Sequence, residues 1–172
     1  MGEAELSLLQ RVGAPEDRTL STQSNLASTY CVLDRLEEAL SMRRDVYSRC
    51  VRVFGEECHE TLEEANNLAI SLKQLSRYAE AKALLRKTMP VARRVLGGSH
   101  DLSLMMRSIY AWALYEDPAA TLDNLREAVE VLEETTRTAR RVLGGAHPLA
   151  EAIERTLGDA RAALRALETQ CS

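Results

Sequence analysis

Four glycines divide this chain. Gly13, Gly55, Gly97 and Gly144 stand 42, 42 and 47 residues apart, each inside a version of one string. The fullest copies are Val95-Leu96-Gly97-Gly98-Ser99-His100 and Val142-Leu143-Gly144-Gly145-Ala146-His147-Pro148. Val53-Phe54-Gly55-Glu56-Glu57-Cys58-His59 is a variant with one extra residue, and Val12-Gly13-Ala14-Pro15 a worn copy. A fixed period of this size is the mark of stacked supersecondary units, each burying its apolar face on its neighbours.

Between the markers a second pattern keeps the same register. Thr19-Leu20 returns as Thr61-Leu62 and Ser103-Leu104; Asn25-Leu26-Ala27 returns as Asn67-Leu68-Ala69 and, more loosely, as Ile109-Tyr110-Ala111. Asp34-Arg35-Leu36-Glu37-Glu38-Ala39 returns as Ser76-Arg77-Tyr78-Ala79-Glu80-Ala81 and Asp123-Asn124-Leu125-Arg126-Glu127-Ala128. The unit is a helical hairpin. Ala27 and Ala39 lie 12 residues apart, as do Ala69 and Ala81, one on each helix, where small side chains let the two helices approach closely. A polar turn, Asp34-Arg35 or Ser76-Arg77, joins them. The second helix runs to Val53 or Leu96, where Gly55 or Gly97 is expected to take the left-handed conformation that ends a helix. Arg93, Arg94, Arg140 and Arg141 fall in last turns, where cations complement the helix dipole. Pro148 suits a first helical position, where a missing N–H costs nothing.

Residues 17–55 and 59–97 read as regular repeats. In the third, 100–144, Ala111 and Ala128 are 17 apart, and the five extra residues fall near 116–120. Pro118 opposes a continuous helix there, so the insertion widens the turn inside the hairpin. Residues 3–13, with Leu6, Leu9 and Val12 at helical spacing, read as a leading half-repeat. Residues 148–169 read as a C-terminal capping helix whose stripe is Leu149, Ile153, Leu157, Ala160, Leu164 and Leu167. The expectation is one all-α domain over 1–172, an α-solenoid of about eight helices.

Composition narrows the function classes. Aromatic residues make up only 4% of the chain, which suits helices packed through aliphatic and small side chains and argues against a sheet. A net charge of −4 gives no broad basic field for nucleic acid. No apolar run approaches the roughly 20 residues that cross a bilayer, and no signal-peptide core follows Met1. Met1-Gly2 opens like a myristoylation site, but Leu6 stands where that motif takes Ser or Thr. Cys31, Cys50, Cys58 and Cys171 share neither a CxxC spacing nor a repeat position, so reduced thiols and a cytoplasmic location are expected.

Other chemistries fit less well than their structural alternatives. His59, His100 and His147 occupy one repeat position, but successive copies lie about 10 Å apart, the spacing of packed helices, too far to share an ion. They read as turn residues that hydrogen-bond helix ends, and no metal or cofactor is expected. Cys58 beside His59 lacks an orienting third group and an oxyanion element, so no catalytic residue is assigned. Gly97-Gly98 and Gly144-Gly145 lack either phosphate-loop frame and read as helix terminators. The run Arg137-Thr138-Ala139-Arg140-Arg141 shares its helix with Glu133 and Glu134 and reads as a solvated face.

The strings Thr61-Leu62, Asn66-Asn67-Leu68-Ala69, Arg77-Tyr78-Ala79-Glu80-Ala81 and Leu96-Gly97-Gly98-Ser99-His100 resemble the tetratricopeptide-repeat superfamily, in the 42-residue variety of kinesin light chains. His147-Pro148 keeps that variety's marker in full, while His100 lacks the proline. The resemblance implies a right-handed superhelix whose first helices line a concave groove for a partner peptide or protein. It places the groove at Ser24, Asn25 and Ser28 in the first unit. The second contributes Asn66, Asn67, Ile70 and Lys73, and the third Ser108, Trp112 and Tyr115. Asn25 and Asn67 keep the register at which relatives clamp a peptide backbone; Ile109 does not. The implied function is a non-enzymatic adaptor. Its alternative is a structural subunit of a larger complex or homo-oligomer, assembled through its ends and convex face.

Overall fold

The computed structural model describes residues 2–11 and 15–170. Val12, the first marker glycine Gly13, and Cys171 lie outside the described residues, as does the side chain of Leu9. Among the described residues the chain forms eight helices and no strand. They are α1 (Gly2–Arg11), α2 (Glu16–Val32), α3 (Leu36–Phe54), α4 (His59–Gln74), α5 (Tyr78–Val95), α6 (Asp101–Tyr115), α7 (Leu122–Leu143) and α8 (Pro148–Gln170). They group into two compact units, Met1–Leu75 and Ser76–Ser172, so α4 falls in the first and α5 in the second.

In the first unit α1 packs on α2, α2 on α3 and α3 on α4. Leu20, Val46 and Cys50 form one buried cluster. Leu26, Tyr30 and Ala39 form another, against which Leu6, Cys31 and Met42 pack. The Tyr30 hydroxyl donates to Glu3 of α1, and the Arg35 guanidinium lies 4.1 Å from the Tyr30 ring centre, which ties the leading helix to the α2–α3 turn.

In the second unit α5 packs on α6, α6 on α7, and α8 on both α7 and α6. Its core is aliphatic: Leu85, Leu104, Leu114 and Leu132 are fully buried, with Met106 and Ile153. On α8, Ala150, Ile153, Leu157 and Ala160 are buried, while Leu149, Leu164 and Leu167 are half-buried. α6 ends at Tyr115 and α7 begins at Leu122, so the extra residues of the third hairpin lie in its turn. That turn is fixed at both ends. Lys82 on α5 holds Asp117 at 2.7 Å and the Ala119 N–H donates to the same carboxylate, which together keep Asp117 below the usual carboxylate range. The Thr121 hydroxyl accepts from Asn124 N–H while Asn124 Oδ1 accepts from Thr121 N–H, a reciprocal cap that starts α7.

The marker glycines Gly55, Gly97 and Gly144 all have positive φ at the ends of second helices, as expected of them. Gly55 and Gly144 have φ of 84° and 89°, but their ψ values of 167° and 153° are extended rather than helical. The glycine therefore turns the chain straight out of the helix. Positive φ also occurs inside the hairpins, at Asp34 (φ 59°) and Ser76 (φ 54°), the same place in two successive repeats. An L-residue in that region is strained by about 1–2 kcal/mol, and aspartate tolerates it better than serine. Ser76→Gly is therefore expected to raise stability by about 1 kcal/mol after the added freedom of the unfolded chain is subtracted. Urea midpoints of wild type and variant check this; a loss of stability would contradict the strain.

Candidate functional site

Two patches of side chains stand out, one in each unit. In the first, α2 exposes Asn25 and Ser28 and half-buries Ser24. On α4, Asn67 and Ile70 are half-buried, Lys73 is exposed and Asn66 is buried at 3% exposure. Glu64 joins the two helices: its Oε1 accepts from Ser24 Oγ at 2.7 Å and from Asn67 Nδ2 at 3.3 Å. From α3, Arg43 donates through Nη2 to Ser28 Oγ at 3.0 Å.

Arg43 is the anomaly of this patch. It is 7% exposed, and its Nε and Nη1 have no hydrogen-bond partner. Glu64 Oε2 and Asn66 Oδ1 are likewise buried without one. Forty-two residues on, the place of Arg43 is held by Leu85, and in the third repeat by Leu132, both fully buried. The first unit has thus put a guanidinium where its neighbours put core leucine. A buried charge with no carboxylate partner and two of its three nitrogens without hydrogen bonds is destabilising, which marks the position as one shaped by something other than folding.

Beside this patch a cavity of about 140 Å³ is lined by Leu20, Val46, Cys50, Phe54 and the carboxylates of Glu60 and Glu64. Burial, with Glu64 adding to it, pushes the Cys50 thiol up to about 11, so it is protonated at neutral pH.

In the second unit, Ser108, Trp112 and Tyr115 are all half-buried on α6, at spacings that share one helix face. The Trp112 ring lies 5.1 Å from that of Tyr78, centre to centre, tilted by 33°. Burial raises the Tyr115 hydroxyl well above its ordinary range, with Glu116 and Asp159 adding to it. Tyr110 instead belongs to the core: its hydroxyl donates to Glu127 at 2.7 Å and accepts from Arg86 Nε at 3.0 Å.

The three histidines do not behave alike. Nδ1 of His100 accepts from Leu102 N–H and Nδ1 of His147 from Leu149 N–H, both at 3.2 Å, so these two cap helices. His59 does not. The extra residue in its marker puts Cys58 at the cap position, and His59, already inside α4, faces Glu63 at 3.7 Å. Among the described residues no cluster of three His, Cys, Asp or Glu is placed to hold a metal ion.

Sequence reasoning brought out Ser24, Ser28, Asn67 and Trp112 but missed the residues that tie them down: Glu64, Arg43 and Tyr78. For Arg43 a signal existed, a charge in an apolar repeat position. For Tyr78 and Glu64 the sequence offered nothing comparable.

Comparison with known proteins agrees with the fold. Family descriptions of the tetratricopeptide repeat match residues 18–89 and 119–149. The crystal structure of nearly identical TPR-like repeats assigned to a Podosopora anserina kinesin light chain superposes with a TM-score of 0.76 at 21% identity, covering 94% of this chain and 75% of that one. A form of those repeats with one glutamine replaced by methionine gives 0.78 at 22% identity, with 99% and 86% covered. BtubC (BKLC) from P. vanneervenii gives 0.66 at 17% identity, with 89% and 61% covered. At these identities the likeness is one of fold. No curated protein matches the sequence at a significant level.

Proposed function

The chain belongs to the tetratricopeptide-repeat superfamily, and on that premise we propose that this protein-interaction module grips a segment of another protein along the first helix of each hairpin. The first unit contributes polar groups that hold backbone or side-chain amides: Ser24, Ser28 and Asn67, braced by Glu64. The second contributes Trp112 and Tyr115 as apolar anchors, since half-buried aromatics concentrate binding energy. Asn25, Ile70 and Lys73 share the helices of the first set, and Ser108 shares α6 with the aromatics. Among the described residues no helix is long and apolar enough to cross a membrane.

The observation that carries this reading is Arg43. Its Nη2 donates to Ser28 while its Nε and Nη1 stay buried without partners, in a place built for leucine. Even a buried ion pair is replaced by apolar residues of similar volume at no cost or with a gain of about 1–4 kcal/mol, and a guanidinium without a carboxylate has less to lose. Arg43→Leu is therefore expected to raise the thermal midpoint while weakening partner capture. Pull-down from lysate of the source organism is compared across wild type, Arg43→Leu and the double variant Asn67→Ala, Trp112→Ala, with folding checked by circular dichroism. A partner lost from both folded variants supports capture along the first helices. A partner retained by both moves the interface elsewhere.

A second reading, self-assembly through ends and convex face, has one observation in its favour. Val53, Val95 and Val142 occupy the same repeat place at the ends of second helices and are 40%, 40% and 49% exposed. Mass measured against concentration separates the two, since a monomer at high concentration removes this reading.

A further inference from the structure

The second unit contains a cavity of about 330 Å³ between α5 and α6, lined by Met89, Pro90 and Arg93, by Gly98 of the marker, and by Ser103 and Arg107 of α6. Ser103 is 4% exposed and its Oγ has no hydrogen-bond partner. Arg107 is held by Glu134 at 2.7 Å, a carboxylate that is itself 59% exposed. Arg93 makes no ion pair or side-chain hydrogen bond among the described residues.

Repeat register shows what is missing. At the next junction, 47 residues on, the places of Arg93 and Arg107 are taken by Arg140 and Glu154, which form an ion pair at 2.7 Å. At the preceding junction they are taken by Val51 and Ala65, an apolar pair. Each of those junctions is internally balanced. The α5–α6 junction alone sets arginine against arginine, and it does so around a cavity with an unused buried hydroxyl. Thr61, in the place of Ser103, also has an unpartnered hydroxyl, but no arginine stands at either matching position beside it.

We propose that this cavity is a second binding site, on a different helix pairing from the first-helix surfaces, and that it takes a phosphorylated side chain of a partner protein. Three of the residues that line it carry donors: the guanidinia of Arg93 and Arg107 and the buried hydroxyl of Ser103. A phosphoryl group brings three acceptor oxygens and nearly two negative charges, enough to answer Arg93 and to reach Arg107 beside its existing pair with Glu134, whereas a carboxylate offers a single charge. Recognition of phosphate by paired arginines is a recurrent mode of peptide binding. Met89 and Pro90 supply an apolar wall for the residue next to the phosphate, and the volume is that of one or two side chains.

The test uses the full chain, ¹⁵N-labelled, titrated with the peptide Ac-Ala-Leu-pSer-Leu-Ala-NH₂, with its Ser and Glu counterparts, and with inorganic phosphate. The expected result is saturable shifts of the Gly98, Ser103 and Arg107 amides with the phosphopeptide, at an affinity at least ten times that of the other three probes. Arg93→Gln, an exposed position, is expected to weaken binding at least tenfold, while Arg140→Gln leaves it unchanged. Equal binding of the Glu peptide would overturn the phosphate assignment, and equal binding of inorganic phosphate would overturn docking of a partner. Equal binding of the Ser peptide would reduce the cavity to an apolar contact. Absence of saturable shifts at these three residues would remove the site.

Discussion

Leu132→Ala is expected to remove about 3–5 kcal/mol of stability, the upper part of the range for burying an alanine where a leucine was. Leu132 is fully buried on α7, and α7 packs against both α6 and α8. A cavity opened between two supporting helices has little room to collapse, because each is already held by the other through the α6–α8 packing. Since a domain of this size is stable by only about 5–15 kcal/mol in all, the variant should lose a fifth or more of its margin. Chemical denaturation followed by circular dichroism gives the measurement, with Val142→Ala as control. Val142 is 49% exposed, and its truncation is expected to change stability by less than about 0.5 kcal/mol. Repeat arrays do not always unfold in one step, so the comparison rests on the transition to which α7 contributes. A Leu132 cost below about 1 kcal/mol would mean that the α6–α7–α8 packing is not closed in solution.

The same positions show how much of this fold could be read in the sequence. Ala27, Ala39, Ala69, Ala81, Ala111 and Ala128 are all fully buried, as a periodic small residue at a helix crossing requires. That part was legible because close approach leaves no alternative residue type. The His100 and His147 caps were legible for a similar reason, a fixed position relative to the helix start. His59 misled because one extra residue in its marker shifts the cap onto Cys58 while leaving the string recognisable. The Thr121–Asn124 cap was passed over because Asp123-Asn124 reads as the polar turn of the repeat. Glu64 could not have been found. It sits in the ordinary acidic pair Glu63-Glu64, and its role depends on a serine 40 residues away and on which way two side chains turn. Arg43 and the Arg93–Arg107 pair lie between these cases. Each is invisible alone and conspicuous once the repeats are set in register and one copy breaks the pattern. Functional residues in a repeat protein are therefore best sought where a copy departs from its siblings, because the shared positions are already explained by packing.

Gly144 gives the second large expected effect. The repeated marker glycine invited the ordinary explanation, a left-handed residue closing a helix, where alanine costs about 1 kcal/mol. The observed φ of 89° with ψ of 153° lies instead in a region occupied almost solely by glycine. A Cβ built at Gly144 meets nothing within 4 Å, so any penalty comes from the backbone and not from a clash. Gly144→Ala is accordingly expected to cost about 2–3 kcal/mol. Gly145→Ala, next in the chain, equally free of neighbours and without a positive φ, should be neutral or slightly stabilising, by up to about 0.5 kcal/mol. Urea denaturation of the two single variants separates backbone from contact effects, because their surroundings are nearly the same. If Gly144→Ala costs no more than Gly145→Ala, the glycine tolerates another conformation and the helix can leave its marker by a different path. If the difference holds, the conformation of this one residue sets the exit from α7 into His147, whose ring then caps α8. The marker string would then be a backbone device throughout: a glycine that turns the chain out of one helix and a histidine that starts the next.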